Sequence, residues 1–242
     1  MHLDLAAIKD TDFKQRFAHF LERTNVAYSR DDFALLTDRG IENRLLESLV
    51  AGLPEGAIIA GGFMTSVIME EDKAKDIDIF FTSAASFVAT VNLLLNPPEG
   101  EEDDDMWAWR GYELKGGEDA LKGVNQCRYL TFVHSKGKRP DIQLLRMVWY
   151  DSAEHVIDSF DLTIAQFACD KNGIIYRPTA FLDLARKRII SHRIQFAAST
   201  LRRIIKYAHK GFYACPGSLA KICEQIQQFR GPADANEVVY VD

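Results

Sequence analysis

The sequence predicts an α/β protein of the α+β kind, in which a sheet flanked by helices is followed by a mainly helical C-terminal part. Three observations carry that expectation. The stretch Ile58 to Phe81, IIAGGFMTSVIMEEDKAKDIDIFF, reads as strand, glycine turn, short helix and strand. Short alternating runs follow at Trp107 to Leu114, Gln126 to His134 and Asp141 to Leu145. From Leu219 onward the apolar residues recur instead at helical spacing.

Taken in order, Phe13, Phe17, Phe20 and Leu21 predict a helix over residues 11 to 23, with Thr11 or Asp12 as its cap. Ile41, Leu45, Leu46 and Leu49 form the stripe of a second helix over Ile41 to Val50, which Gly52, Pro54 and Gly56 end. After Phe81, SAASFVATVNLLLN is an amphipathic helix capped by Ser83 and ending before Pro97-Pro98. Residues 99 to 105, EGEEDDD, are a solvated loop. GGEDALKG connects the strands at 107 to 114 and 126 to 134, and SKGKRP turns into the strand that Asp141 begins. Leu219, Ile222, Cys223 and Ile226 mark a last helix, and the chain after Gly231-Pro232 is extended or unstructured. The expected division is an N-terminal helical segment over 1 to 40, a head over 41 to 150, and a mainly helical part with a short hairpin over 151 to 242.

Composition narrows the function. At 242 residues, with 47% hydrophobic and 26% charged residues, the chain has the make-up of a globular protein. It contains no apolar run near the roughly 20 residues that span a bilayer, and its start lacks a basic region followed by an apolar one. A cytoplasmic protein with no membrane partner is expected. Cys127, Cys169, Cys215 and Cys223 show no zinc spacing and read as free thiols. His134, His155, His192 and His209 have no usable spacing and read as surface or satisfied core residues. The net charge of −6 is unevenly spread, because Arg186, Lys187, Arg188, Arg193, Arg202, Arg203, Lys206 and Lys210 follow one another without an intervening acid. Such a run is either a solvated face or a set of phosphate contacts.

The chemistry concentrates at 61 to 78. Asp76 and Asp78, two apart on a strand, point to one face and repel unless a cation lies between them. Oxygen-only ligation suits Mg²⁺. Gly61 and Gly62 allow a tight turn and close approach to a ligand, and the helix start behind them, with Thr65 and Ser66, offers donors to a phosphate. The plainer alternative is an ordinary strand with two solvated acids.

Gly61-Gly62, thirteen intervening residues and Asp76-Ile77-Asp78-Ile79 resemble the signature of the DNA polymerase beta-like nucleotidyltransferase superfamily. Residues 158 to 190 are similar to a segment of tRNA CCA-adding enzymes and bacterial poly(A) polymerases. Asp161-Leu162-Thr163-Ile164 stands at their Asp-Phe-Thr motif, Asn172-Gly173 at a turn, and Leu182-Asp183-Leu184 in a helix. Leu201 to Ala208 resembles their following basic helix, so the likeness covers residues 56 to 210. It implies a nucleotidyltransferase head with a mixed sheet flanked by helices. It also implies a third carboxylate at Asp141 and two Mg²⁺ ions, replaceable by Mn²⁺, held by Asp76, Asp78 and Asp141. The implied reaction is attack of an acceptor hydroxyl on the α-phosphorus of a nucleoside triphosphate such as ATP. Gly61, Gly62, Thr65, Ser66, Asp161 and Arg203 are then nucleotide-binding, and Arg202 and Lys206 bind the acceptor.

There are departures from the pattern. Ser159-Phe160 replaces paired arginines, no acid opens the basic helix near Ser199-Thr200, and no Glu-Asp-x-x-Arg template motif follows. About thirty residues remain after Gly211, little room for the further domains that hold tRNA. Catalysis is expected without CCA templating. An RNA 3′ end is the favoured acceptor, with a protein or small-molecule hydroxyl as alternatives, and a catalytically silent binding module as a third reading. Asp161 reads equally as a cap and as a contact to the nucleotide sugar.

Overall fold

A computed structural model describes residues 1–9, 17–71, 74–98 and 108–228. Its central sheet contains β1 (Ser29–Asp31), β2 (Ala57–Ala60), β3 (Asp76–Phe81), β4 (Tyr112–Leu114), β5 (Tyr129–His134), β6 (Asp141–Leu145), β7 (Phe167–Asp170) and β8 (Gly173–Tyr176). The spatial order is β1-β8-β7-β2-β3-β6-β5-β4. Every pairing is antiparallel except β3 with β6, so the sheet is mixed as expected. β1, from the segment 1–40, pairs with β8 of 151–242, and β7 of that same segment pairs with β2 of 41–150, so all three contribute to one sheet. A small parallel pair, β9 (Arg188–Ile189) and β10 (Tyr213–Ala214), lies apart from it.

The helices are α1 (Ala34–Asp38), α2 (Arg44–Gly52), α3 (Gly62–Ile68), α4 (Ala84–Leu95), α5 (Gly117–Lys122), α6 (Ala153–Asp158), α7 (Pro178–Ala185), α8 (Ala197–His209) and α9 (Pro216–Gln228). None of the described helices is long and apolar enough to cross a membrane. The C-terminal part is mainly helical. Local chemistry sets the ends: the Asn43 side chain accepts from Leu46 N and starts α2 three residues later than periodicity suggests. Ser83 and Ser86 form a reciprocal capping box at α4, so Ser83→Ala should cost about 0.5–2 kcal/mol.

Alternation along β3 divides the molecule. Ile77 and Ile79, fully buried, join Ile142 and Leu144 against Leu46 and Leu49 of α2, Phe63 of α3 and Phe87 of α4 in the main core. Each such isoleucine contributes about 1.5–3 kcal/mol by burial. Phe80 and Leu145 face the other way and pack with Ile58, Ala168, Val156 and Ile157. Asp76, Asp78, Asp141 and Gln143 share that second face by the period of two.

Several expectations need correcting. Within the described residues, the helix expected over 11–23 is only a 3₁₀ turn, Ala18–Leu21; residues 10–16 lie outside them. GGEDALKG carries α5, entered through a left-handed Gly116 (φ 86°). The strand expected from Trp107 is confined to β4, and Trp109 is instead buried with its indole N–H donating to Leu49 O at 2.9 Å. Trp107, the acidic run at 99–105 and the tail after residue 228 fall outside the described residues. Gly173 has φ 134°, and a Cβ there would stand 2.1 Å from Asp31 O, so only glycine lets β8 run against the end of β1.

Candidate active site

Asp76 and Asp141 are direct partners across the parallel β3–β6 pair, and Asp78 faces Gln143 in the same register. Partners in register project to one side of a sheet. Gln143 Nε2 donates to Asp76 Oδ2 at 3.2 Å. Asp78 keeps some exposure as a residue, but its Oδ1 is sealed from solvent and has no hydrogen-bond partner among the described residues. Burial, then the neighbouring Asp76, push its carboxyl up to about 8, while Arg203 and Lys206 pull it back.

The glycine pair adjoins this carboxylate. Gly61 ends β2 at φ 82°, and a Cβ there would lie 3.5 Å from Asp78 Oδ2. A Cβ on Gly62, the first residue of α3, would meet nothing within 4 Å. Thr65 and Ser66 are buried in internal bonds: Thr65 Oγ1 donates to Ile164 O at 3.1 Å and Ser66 Oγ to Glu71 Oε2 at 3.2 Å. Neither lines the cavity in front of the carboxylates, and Asp141 stands beyond its lining.

That cavity, about 220 Å³, is lined by Gly61, Gly62, Asp76, Asp78, Arg203 and Lys206. Aromatic rings line it as well. Phe80 packs on Phe160 (centroids 5.7 Å apart) and Phe20 on Phe196 (6.1 Å). The rings come from separate segments, which is why no motif announces them. A local signal exists only in Ser159-Phe160, where Phe160 occupies a place that arginine holds in the resembled enzymes. Gln143, which braces Asp76, could have been found as the residue two beyond Asp141 on the same strand face.

Asp161 accepts from Thr200 Oγ1 at 2.7 Å and pairs with Arg203, so it anchors α8 to the connection that follows α6 while lining the cavity. The related Thr163 donates to buried Asp183 at 2.7 Å, and Asp183 also holds Arg188 at 2.8 Å. The basic run is therefore not free of acids in space: Arg188 meets Asp183, Arg193 Glu22, Arg203 Asp161 and Lys210 Glu71. Lys206 makes no ion pair among the described residues and projects into the cavity with Arg203 one turn before it. Arg202, a third of a turn away, is exposed and outside the lining.

Among the described residues no group of three or more His, Cys, Asp or Glu stands ready as a complete metal shell. The side-by-side Asp76 and Asp78, with one sealed and unpartnered oxygen, nevertheless fit a hard divalent ion. Mg²⁺ is commonly held by one or two carboxylates and completed by phosphate and water oxygens.

A family profile described as Gabija anti-defense 2 family protein matches residues 13–187. No curated protein matches the chain in sequence. Solved structures of CCA-adding enzymes are similar to it. The Thermotoga maritima enzyme complexed with tRNA is 16% identical with a TM-score of 0.51, over 81% of this chain and 45% of that one. A CCA-adding enzyme in complex with CTP is 15% identical with a TM-score of 0.54, over 82% and 45%. Another with ATP is 14% identical with a TM-score of 0.51, over 83% and 46%. The chain spans less than half the length of each. At such identities the likeness shows the fold, which is nucleotidyltransferase-like.

Proposed function

The chain belongs to the Gabija anti-defense 2 family, and we propose that it is a metal-dependent nucleotidyltransferase that moves a nucleoside monophosphate from a nucleoside triphosphate to an acceptor hydroxyl. The observation that carries this reading is one cavity joining the paired carboxylates Asp76 and Asp78, the open Gly61-Gly62 turn and the cations Arg203 and Lys206. The CTP and ATP bound by fold relatives support it.

Asp76 and Asp78 would hold Mg²⁺, or Mn²⁺ in its place, which when bound neutralises phosphate charge. The rest falls to the chain itself. Gly61 and Gly62 leave space for the triphosphate against the start of α3, and Lys206 and Arg203 offset its charge. Asp161 holds Arg203 toward the nucleotide. Asp141, at the head of β6 beside Asp76, accepts the proton of the attacking hydroxyl. The acceptor O–Pα bond forms, the Pα–O bond to the β-phosphate breaks, and pyrophosphate leaves.

The acceptor we favour is an RNA 3′ end, guided by Arg202 and Lys206 along α8; the tRNA bound to a fold relative supports it. The family description favours a second reading, because anti-defense names opposition to another system rather than RNA processing. The hydroxyl could then belong to a protein of that system. Incubation with α-labelled triphosphates and Mg²⁺ decides between them: label in RNA supports the first acceptor, label in protein the second. No transfer to RNA, protein or small molecules would leave a binding module as the better reading.

A further inference from the structure

The aromatic lining of the cavity has no role in metal or phosphate chemistry. Phe160 packs on Phe80 at 5.7 Å, with Phe80 in turn 5.9 Å from Tyr150. Phe196 precedes α8 and meets Phe20 at 6.1 Å and His19 at 5.3 Å, edge-on. Phe20, Phe160 and Phe196 each remain partly exposed. Asp76, Asp78, Arg203 and Lys206 line the same cavity, so an occupant with an anionic part and a flat apolar part matches both sets.

The segment that carries Phe20 is held in place by polar bonds to its main-chain carbonyls. Arg193 donates to His19 O at 2.9 Å and to Glu22 O, Gln195 donates to His19 O at 3.3 Å, and His155 Nε2 donates to Leu21 O at 3.0 Å. Thr24 N donates to the buried Asp158 at 2.7 Å. Residues 17–24 thus form a strap that brings Phe17 and Phe20 to the cavity, and Arg193 clamps it.

We propose that Phe20 and Phe196, with Phe160 in the same cavity, form a stacking site for the nucleobase of the triphosphate, which reads the base by its face and prefers purines to pyrimidines. The inference rests on the nucleotidyltransferase reading above. A stacked base adds affinity in proportion to ring overlap, on the order of 1–3 kcal/mol per base, and every base has a face to offer. Selection by stacking needs no template side chain.

The test is calorimetric titration with Mg²⁺ of four α,β-methylene nucleoside triphosphates and of tripolyphosphate, which lacks a base. Wild type should bind the ATP and GTP analogues alike, more tightly than those of CTP and UTP, and tripolyphosphate most weakly. Phe196→Ala and Phe160→Ala should each lose about 5- to 150-fold in affinity for the purine analogues, from the stacking magnitude above, and keep tripolyphosphate affinity. Phe196→Trp should keep the wild-type affinity for the purine analogues. Phe20→Ala, on the strap, serves as a third probe should either alanine variant melt early. Tripolyphosphate bound as tightly as the ATP analogue, or purine affinity unchanged in folded alanine variants, overturns the stacking site and leaves the transferase reading standing. No Mg²⁺-dependent binding of any of the five ligands overturns both.

Discussion

Asp76 and Asp141 stand opposite each other in a parallel strand pair although 65 residues separate them, and the pair between β3 and β6 is the one parallel contact of the described central sheet. The crossover brings the head of a second strand beside the paired acids. Asp141→Asn should therefore fold normally and still bind nucleotide, while transfer falls by about 10²–10⁴-fold, the usual contribution of a positioned base. Single-turnover rates with unchanged nucleotide affinity would show this; an unchanged rate would assign the proton elsewhere.

Asp78 makes stability depend on pH. Its folded carboxyl keeps its proton up to about 8, whereas an ordinary aspartyl carboxyl loses it near 3.8. Between those values the folded state binds more protons than the unfolded state, so stability falls as pH rises. Asp78→Asn removes that dependence. In chelator, the variant should gain melting temperature over wild type progressively from pH 5 to pH 9. Mg²⁺ should raise the melting temperature of wild type more at pH 8 than at pH 6, because it competes with the proton, and should leave Asp78→Asn unmoved. Parallel melting curves for the two proteins across that range would contradict the account.

The two glycines separate fold from binding. A side chain at Gly62 projects into open space, so Gly62→Val should melt like wild type and bind triphosphate poorly. Gly61 sits at φ 82°, so Gly61→Val should lose about 1–3 kcal/mol of stability as well. Full triphosphate affinity in folded Gly62→Val would argue against a phosphate at that turn.

Lys206 and Arg202 test the acceptor path. Lys206→Gln removes a charge within the cavity and should weaken both nucleotide and RNA binding. Arg202→Gln, on the exposed side of α8, should weaken RNA binding alone. If RNA follows this helix, each change flattens the log–log salt dependence of RNA affinity by about one phosphate contact. A double variant with the full wild-type slope would make the basic helix a solvated surface.

What could be read from the sequence was local. β3, the Gly61-Gly62 turn, the Ser83 cap and the strand begun by Asp141 follow from alternation and turn chemistry within a few residues. What escaped was set by distant partners. β1 is three polar residues, Ser29–Asp31, made a strand by pairing with β8. The acid-free look of residues 186–210 dissolves in space, where Asp161, Asp183, Glu22 and Glu71 come back from elsewhere in the chain. Thr65 and Ser66 look like phosphate ligands in sequence, yet the packing of α3 turns both hydroxyls inward. The aromatic rings of the cavity come from four segments, so the period that holds Phe20 says nothing of Phe80, Phe160 or Phe196 beside it.

In the proposed reaction Asp76 and Asp78 hold a divalent ion against a triphosphate. Crystals grown with Mn²⁺ and a non-hydrolysable nucleoside triphosphate test it directly through anomalous scattering. The account predicts a Mn²⁺ peak within about 2.0–2.3 Å of oxygens of both Asp76 and Asp78. A second peak, roughly 3.5–4 Å from the first and toward Asp141, is predicted once an acceptor is present. Both should vanish in Asp76→Asn/Asp78→Asn. Nucleotide bound in the cavity with no metal at these carboxylates, or metal retained by the double variant, would contradict it.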